Sequence, residues 1–297
     1  MTTTSIEPLV ERLLAGEPLS PDDRDALASS HDLLVLGMAA DTARRRRHGD
    51  QVTFARVALV PVDRAAAGDV HLEGSPREVR LVGEANDLDQ MLDATRAANR
   101  AAAGLAVTGF SLADLVRTAG APDRLAALLT ALSGAGLTAL ADAPLDRLDE
   151  PGIALTAARD AGLPVARLTV ERAGLGALAV VDKAAALVER FPEILAFAPL
   201  PSRLAGTAPT TGYEDVRLVA LARLLVPVPH IQVDWRLYGP KLAQVALTFG
   251  ADDLDSVSPA DEVIEGRRRS PLEEVRRNII AASSRPLERG PLTGAPR

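Results

Sequence analysis

The stretch PHIQVDWRLYGPKLAQVALTFGADDLD, residues 229–255, holds one complete unit of an α/β architecture. It opens on a β-rich run, 230–236, in which Ile231, Val233 and Trp235 alternate with Gln232, Asp234 and Arg236. A period of two puts the first three on one face of a strand and the second three on the other. An Ala/Leu-rich helical run follows at 239–249, then a second β-rich run at 251–256. Strand, helix and strand in this order predict two parallel strands joined by a right-handed crossover. Outward from this unit the rhythm continues. β-rich runs at 52–60, 78–83, 105–110, 137–141, 165–170 and 194–199 alternate with helical runs at 87–100, 122–133, 151–161, 175–190 and 212–225, and a last helix is expected at 271–282. Eight strands closing on themselves predict a (β/α)8 TIM barrel over 51–290. An open doubly wound sheet is the alternative, but no G-x-G-x-x-G follows a first strand and no Walker-type phosphate loop is present.

Residues 1–50 read as an N-terminal helical extension packed on the barrel. Ile6, Leu9, Val10, Leu13 and Leu14 keep helical spacing. Ser20-Pro21-Asp22-Asp23 is a helix start, with Ser20 as N-cap and Pro21 in the first position. The run Arg44–Arg47 before His48-Gly49 puts positive charge in a last helical turn, and a solvated helix end is favoured there over an anion site. The Pro/Gly-rich tail is expected to be loose over 291–297.

Composition narrows the function. With 33 Lys and Arg against 40 Asp and Glu, the net charge of −7 argues against a general nucleic-acid binder. No run is apolar enough for a membrane span or a signal peptide, so a cytoplasmic protein is expected. The 297 residues contain no cysteine. Disulfides, thiolate nucleophiles and Cys-ligated clusters are thereby excluded for this chain acting alone, and four scattered His make no metal-site pattern.

Chemistry in such a barrel belongs at the C-terminal ends of the strands. In strand seven the alternation places Asp234 and Arg236 on one face. A charge facing the surrounding helices would be costly, so an Asp–Arg pair inside the barrel is expected, either as a ligand site or as an internal ion pair. Asp252, Asp253 and Asp255 form an acidic cluster at strand eight. Three carboxylates are able to hold a divalent cation, but the spacing matches no metal loop, and pairing with Arg residues such as Arg236 or Arg285 is favoured. Tyr213 and Tyr238 are expected near the mouth, and Trp235, the only Trp, in the core.

Residues 229–255, with TTGYEDVRLVALARLLV (210–226), FAPLPSRLAGT (197–207), SSRPLERG (283–290) and HDLLVLGMAADTARRRRHGDQVTFAR (31–56), resemble the radical S-adenosylmethionine (radical SAM) enzymes of the futalosine route to menaquinone, the family of aminodeoxyfutalosine synthase. Dehypoxanthine futalosine cyclase and the deazaflavin-cofactor synthases are related barrels. The family carries C-x-x-x-C-x-x-C after its first strand to ligate a [4Fe–4S] cluster. Here that region reads VALVPVDRAAAG (57–68), without a thiolate. The Gly-rich stretch after the family's fourth strand is replaced by Ala143-Pro144-Leu145. The resemblance therefore implies a barrel without cluster or 5′-deoxyadenosyl radical, and whether it catalyses any reaction stays open. Gly83-Glu84 lies where the family holds the methionine amino group, so residual S-adenosylmethionine binding is one expectation, against a plain turn and helix start at Asn86-Asp87.

The ligand-binding candidates are Glu84, Gln232, Asp234, Arg236, Asp252, Asp253 and Asp255, with no cofactor and no metal expected. One implied function is a non-radical pseudoenzyme, a binding or partner subunit linked to the menaquinone pathway and able to form a hetero-oligomer with a Cys-bearing homologue. A second is an enzyme turned to polar chemistry on a carboxylate-bearing or nucleoside-like small molecule. A third is a structural relic with a filled lumen.

Overall fold

A computed structural model describes residues 6–172, 174, 176–203 and 211–293. Three helices precede the first strand: α1 (Glu7–Leu14), α2 (Pro21–Ser29) and α3 (Leu33–His48). Ser20 caps α2 in a reciprocal capping box with Asp23, and Asp32 caps α3 by accepting from the Val35 N–H. Leu27, Leu36, Ala39 and Ala40 are buried. The helix α3 packs on two helices of the barrel, α10 (Gly212–Leu225) and α11 (Trp235–Thr248). A Cβ on Gly37 would come within 2.8 Å of the Phe249 ring, so α3 approaches the end of α11 through the missing side chain.

The barrel follows: β1 (Gln51–Pro61), α4 (Val62–Ala66), β2 (Glu78–Val82), α5 (Leu88–Ala101), β3 (Val107–Ser111), α6 (Leu112–Ala119), α7 (Pro122–Gly134), β4 (Ala139–Pro144), α8 (Pro151–Asp160), β5 (Arg167–Val170), α9 (Ala177–Arg190), β6 (Ala196–Pro201), α10 (Gly212–Leu225), β7 (His230–Asp234), α11 (Trp235–Thr248), β8 (Asp253–Val257), α12 (Pro271–Ala281) and β9 (Arg285–Glu288). Neighbouring strands from β2 to β8 pair in sequence order, all parallel, and β1 closes the ring by pairing with both β8 and β2. The result is a closed eight-stranded (β/α)8 barrel.

Three features depart from the sequence reading. Strand β9 was not expected. It pairs with Gln51–Phe54 of β1, on the flank that β2 takes farther along, from Val57 on. Its Pro286 and exposed Leu287 hide its strand character, because alternation over four residues carries little signal. Helices α4 and α6 were also missed, each beginning directly after a strand with no loop residues to mark it. Finally, β7 stops at Asp234, and Trp235 already belongs to α11, whose two parts meet at a kink where Gly239 has φ of 70° before Pro240.

Candidate functional site

The interior of the barrel is polar. Glu78 and Arg80 on β2, Thr108 on β3, Arg167 on β5, Gln232 on β7, and Asp253 and Asp255 on β8 form one network; Arg80–Asp255, Arg167–Gln232 and Arg167–Asp255 cross between strands that are not neighbours, so these side chains face the lumen. Arg80 donates to Glu78 from Nε (2.8 Å) and to Asp255 from Nη1 (2.6 Å). Arg167 reaches Asp255 and, at 3.1 Å, Gln232. Arg289, just past β9, grips Asp253 with two parallel bonds of 2.7 Å. Gln232 (2.6 Å) and Thr53 complete the shell of Asp253. Thr108 donates to Glu78 at 2.6 Å.

Three guanidinium groups thus neutralise three carboxylates. Burial alone would raise the Asp255 carboxyl, but Arg80 and Arg167 outweigh it and hold it well below the usual carboxylate range. Arg289 does the same for buried Asp253. The network leaves a cavity of only about 20 Å³ between Glu78, Arg80, Arg167, Gln232, Asp255 and Arg289, room for about one water. Leu292 also lines it, so this part of the expected loose tail is engaged; residues 294–297 lie outside the described residues.

The seven sequence candidates fall in four places. Gln232, Asp253 and Asp255 meet in the lumen. Asp252, one residue off in the alternation, points away from them. It accepts from Arg223, from His230 Nδ1 (2.6 Å) and from the Ile231 N–H (2.9 Å), and His48 Nε2 lies 3.3 Å away. Glu84 is exposed after β2, 3.6 Å from Arg117 and 3.4 Å from Arg203. Asp234 and Arg236 are not a lumenal ion pair. Asp234 ends β7 and caps α11, accepting from the Leu237 N–H (2.8 Å) and from Ser256 Oγ (2.9 Å). Arg236 lies in the first turn of α11, exposed at the rim. The period-two reading failed there because helix geometry takes over at Trp235.

Asp252, His48 and His230 sit where α3 ends and β7 begins, at the N-terminal face. The two imidazole rings stack with centroids 5.1 Å apart. One ligand atom from each of the three residues lies within 4.8 Å of the others, a spacing that a metal ion could bridge. The carbonyl of Pro229 accepts only, so His48 Nε2 carries the proton at 2.8 Å. Burial lowers the His48 pKa. Burial opposes, but the bond to Asp252 overrides it and raises, that of His230. Burial also lowers Arg223 to about 10, which leaves it cationic at neutral pH. Of the Arg run that ends α3, Arg45, Arg46 and Arg47 are exposed, as a solvated helix end requires, though Arg47 donates to the Val228 carbonyl; Arg44 alone is fully buried and bonded to Asp41.

At the opposite, C-terminal rim a cavity of 360 Å³ opens between the ends of β1 and β8, the start of α11 and the 258–270 segment. Val57, Leu59, Trp235 and Ile264 supply apolar wall; Arg236, Arg267 and Arg269 supply positive charge against Glu274. Ser256 at its edge has φ of 59°, a strained value for a residue with a Cβ. Tyr238 donates to the Pro201 carbonyl at 2.8 Å, and Tyr213 is exposed.

The sequence reading missed Glu78, Arg80, Arg167 and Arg289. A signal existed for the first two: Glu78-Val79-Arg80-Leu81 alternates charge with apolar bulk as strand seven does. An iron–sulfur cluster does not fit this chain. The β1 end runs through Pro61 straight into α4, and neither that turn nor any other part of the sequence has a thiolate to bind iron.

No protein-family model matches the chain. Over 95 residues it is 39% identical to the 5-amino-6-(D-ribitylamino)uracil–L-tyrosine 4-hydroxyphenyl transferase 2 of Methanosarcina barkeri, covering 29% of this chain and 24% of that one. Over 90 residues it is 36% identical to the aminodeoxyfutalosine synthase of Thermus thermophilus, covering 28% and 24%. The matched segments thus span about a quarter of these curated relatives. Among solved structures, methylornithine synthase superposes with a TM-score of 0.66 at 17% identity, over 95% of this chain and 97% of that one. The FeFe-hydrogenase maturase HydG of Carboxydothermus hydrogenoformans gives 0.65 at 14%, over 95% and 79%. These structures share the fold, and over roughly a quarter of its length the cysteine-free chain is similar in sequence to aminodeoxyfutalosine synthase and to the 4-hydroxyphenyl transferase.

Proposed function

We propose that this protein is a non-radical barrel linked to the menaquinone (futalosine) route, a pseudoenzyme that acts as a binding or partner subunit beside a Cys-bearing homologue. One observation carries the reading: the strand end where the resembling family places its cluster thiolates offers Pro61, Val62, Asp63 and Arg64 instead. The lumen supports it, since the neutral Arg–carboxylate network leaves space for little more than a water.

The test has two arms. Anaerobic reconstitution with iron and sulfide is expected to leave the protein colourless, with iron at background; stoichiometric iron and sulfide would overturn the non-radical reading. Co-expression with the Cys-bearing homologue from the same cell is expected to give a co-eluting complex by size-exclusion chromatography with light scattering. Separate elution at micromolar concentration would remove the partner role.

A second reading, an enzyme of polar chemistry on a carboxylate-bearing or nucleoside-like molecule, draws on the cationic rim cavity. Turnover of such a molecule by the purified protein, lost in Arg236→Gln, would favour it.

A further inference from the structure

We propose that the rim cavity binds a small organic anion, a carboxylate or phosphate monoester on a ring-sized apolar body, held by Arg236 and Arg267. This rests on the reading of the protein as a ligand-binding barrel and adds the class of ligand. The volume of 360 Å³ is in the range of small-molecule sites.

The charge of the lining is the first argument. Most arginines at the barrel ends and in the lumen have a carboxylate: Arg56 has Asp261 and Glu288, Arg80 has Glu78 and Asp255, Arg289 has Asp253. Arg269 has Glu273 at 3.7 Å. Among the described residues, the side chains of Arg236 and Arg267 make no hydrogen bond and no ion pair. They line one cavity whose only acid is Glu274. Arg236 also stands in the first turn of α11, where the helix dipole disfavours a cation. A bound anion would offset both the repulsion and the dipole, and the guanidinium fork suits a carboxylate or phosphate.

The second argument is that the lining is fixed in advance. Asp234 takes one bond from the Leu237 N–H and one from Ser256, so strained Ser256 sets the start of α11 and hence Arg236. The segment carrying Ile264 and Arg267 is tied down by Asp261, which accepts from Arg56 (2.7 Å) and from Ser75 Oγ (2.6 Å). Gly74, at φ of 62°, lets the 67–77 loop lie against Pro259, where a Cβ would come 1.9 Å from the carbonyl oxygen. A backbone already held in place leaves only the side chains to be ordered on binding.

The wall supplies its own reporter. Trp235 is the only Trp in the chain and lines the cavity. Titrations of its fluorescence with phenyl phosphate and with benzoate separate the two head groups, and benzamide and inorganic phosphate separate charge from the apolar body. At least one of the two ring anions is expected to give a saturable change. Benzamide is expected to give none, and inorganic phosphate to bind more weakly than phenyl phosphate. Arg236→Gln and Arg267→Gln are each expected to weaken binding at least about tenfold, with circular dichroism and thermal midpoint unchanged.

Absence of saturable binding by both anions would overturn the proposal. So would equal binding of benzamide, or full affinity in the double variant. Should a variant prove unfolded, Arg236→Lys and raised salt test the same contact, since both weaken a bidentate ion pair and leave apolar binding in place. Iron reconstitution has no bearing on this titration, so the proposal and the non-radical reading fail separately.

Discussion

Asp255 shows what a residue inside a barrel demands of its neighbours. Its carboxylate is buried and meets Arg80, Arg167 and, at 3.5 Å, Arg289. Removing it leaves guanidinium charge uncompensated, so Asp255→Ala is expected to cost about 3–5 kcal/mol of unfolding free energy in urea. Arg80→Met in the same chain should cost less than its separate effect adds, because it removes part of that surplus charge. Additive losses in the double-mutant cycle would show the two side chains to be independent. The pH sense follows from the depressed carboxyls of Asp253 and Asp255. Their contribution is present above the unfolded carboxylate pKa of about 3.9 and is lost as pH falls toward their folded values. At this scale the sequence was partly legible. Gln232, Asp253 and Asp255 showed themselves as polar residues at strand spacing, but their partners Arg80, Arg167 and Arg289 lie far off in the chain, and no local pattern ties them together.

Elements carry the next level. The junction of α3 with the start of β7 sets two histidines against one carboxylate, and the net shifts of the two rings run in opposite directions. In imidazole NMR titrations His230 is expected above the ordinary value of 6.5 and His48 below it. Asp252→Asn should lower both, because Asp252 favours the charged form of each. The raised His230 contributes stability below about pH 6.5 that fades as pH climbs through its folded value. His48 works the other way, opposing folding as pH falls below about 6.5. Unmoved midpoints in Asp252→Asn would separate the histidines from that carboxylate. Element positions were largely legible from the alternation of β-rich with Ala/Leu-rich runs, as with α5 and α10. Element ends were not: Trp235 and Leu112 enter helices without a loop, where a strand pattern has no residue to announce the change.

The whole molecule depends on β1. That one strand joins β8, β2 and β9, so the contacts that close the ring link residues far apart, as between Thr53 and Asp253, 200 positions away. Folding rate falls with such separations. Refolding from urea is therefore expected to be slow, with a kinetic intermediate that already has helical signal before Trp235 fluorescence reaches its native value. Single-phase refolding with coincident signals would contradict it. The barrel class was legible from eight alternating units. The filled lumen was not, because charge balance across a barrel is a property of the assembled ring.

The gripping of Asp253 by Arg289 has a consequence for how the protein is made. A ribosome adds about 5–20 residues each second, so the 236 positions that separate Thr53 from Arg289 take roughly 12–47 seconds to appear. Until β8 appears, some 200 positions after Thr53, the first half of β1 has neither of its lasting neighbours, and until β9 follows one flank keeps its backbone donors and acceptors as an open edge. The nascent chain is then a partial sheet with like charges unbalanced in its concave side. Holding factors that shield exposed strands would matter most in this window, and substitutions at Arg289 would show in the yield of newly made protein before they show in the finished one.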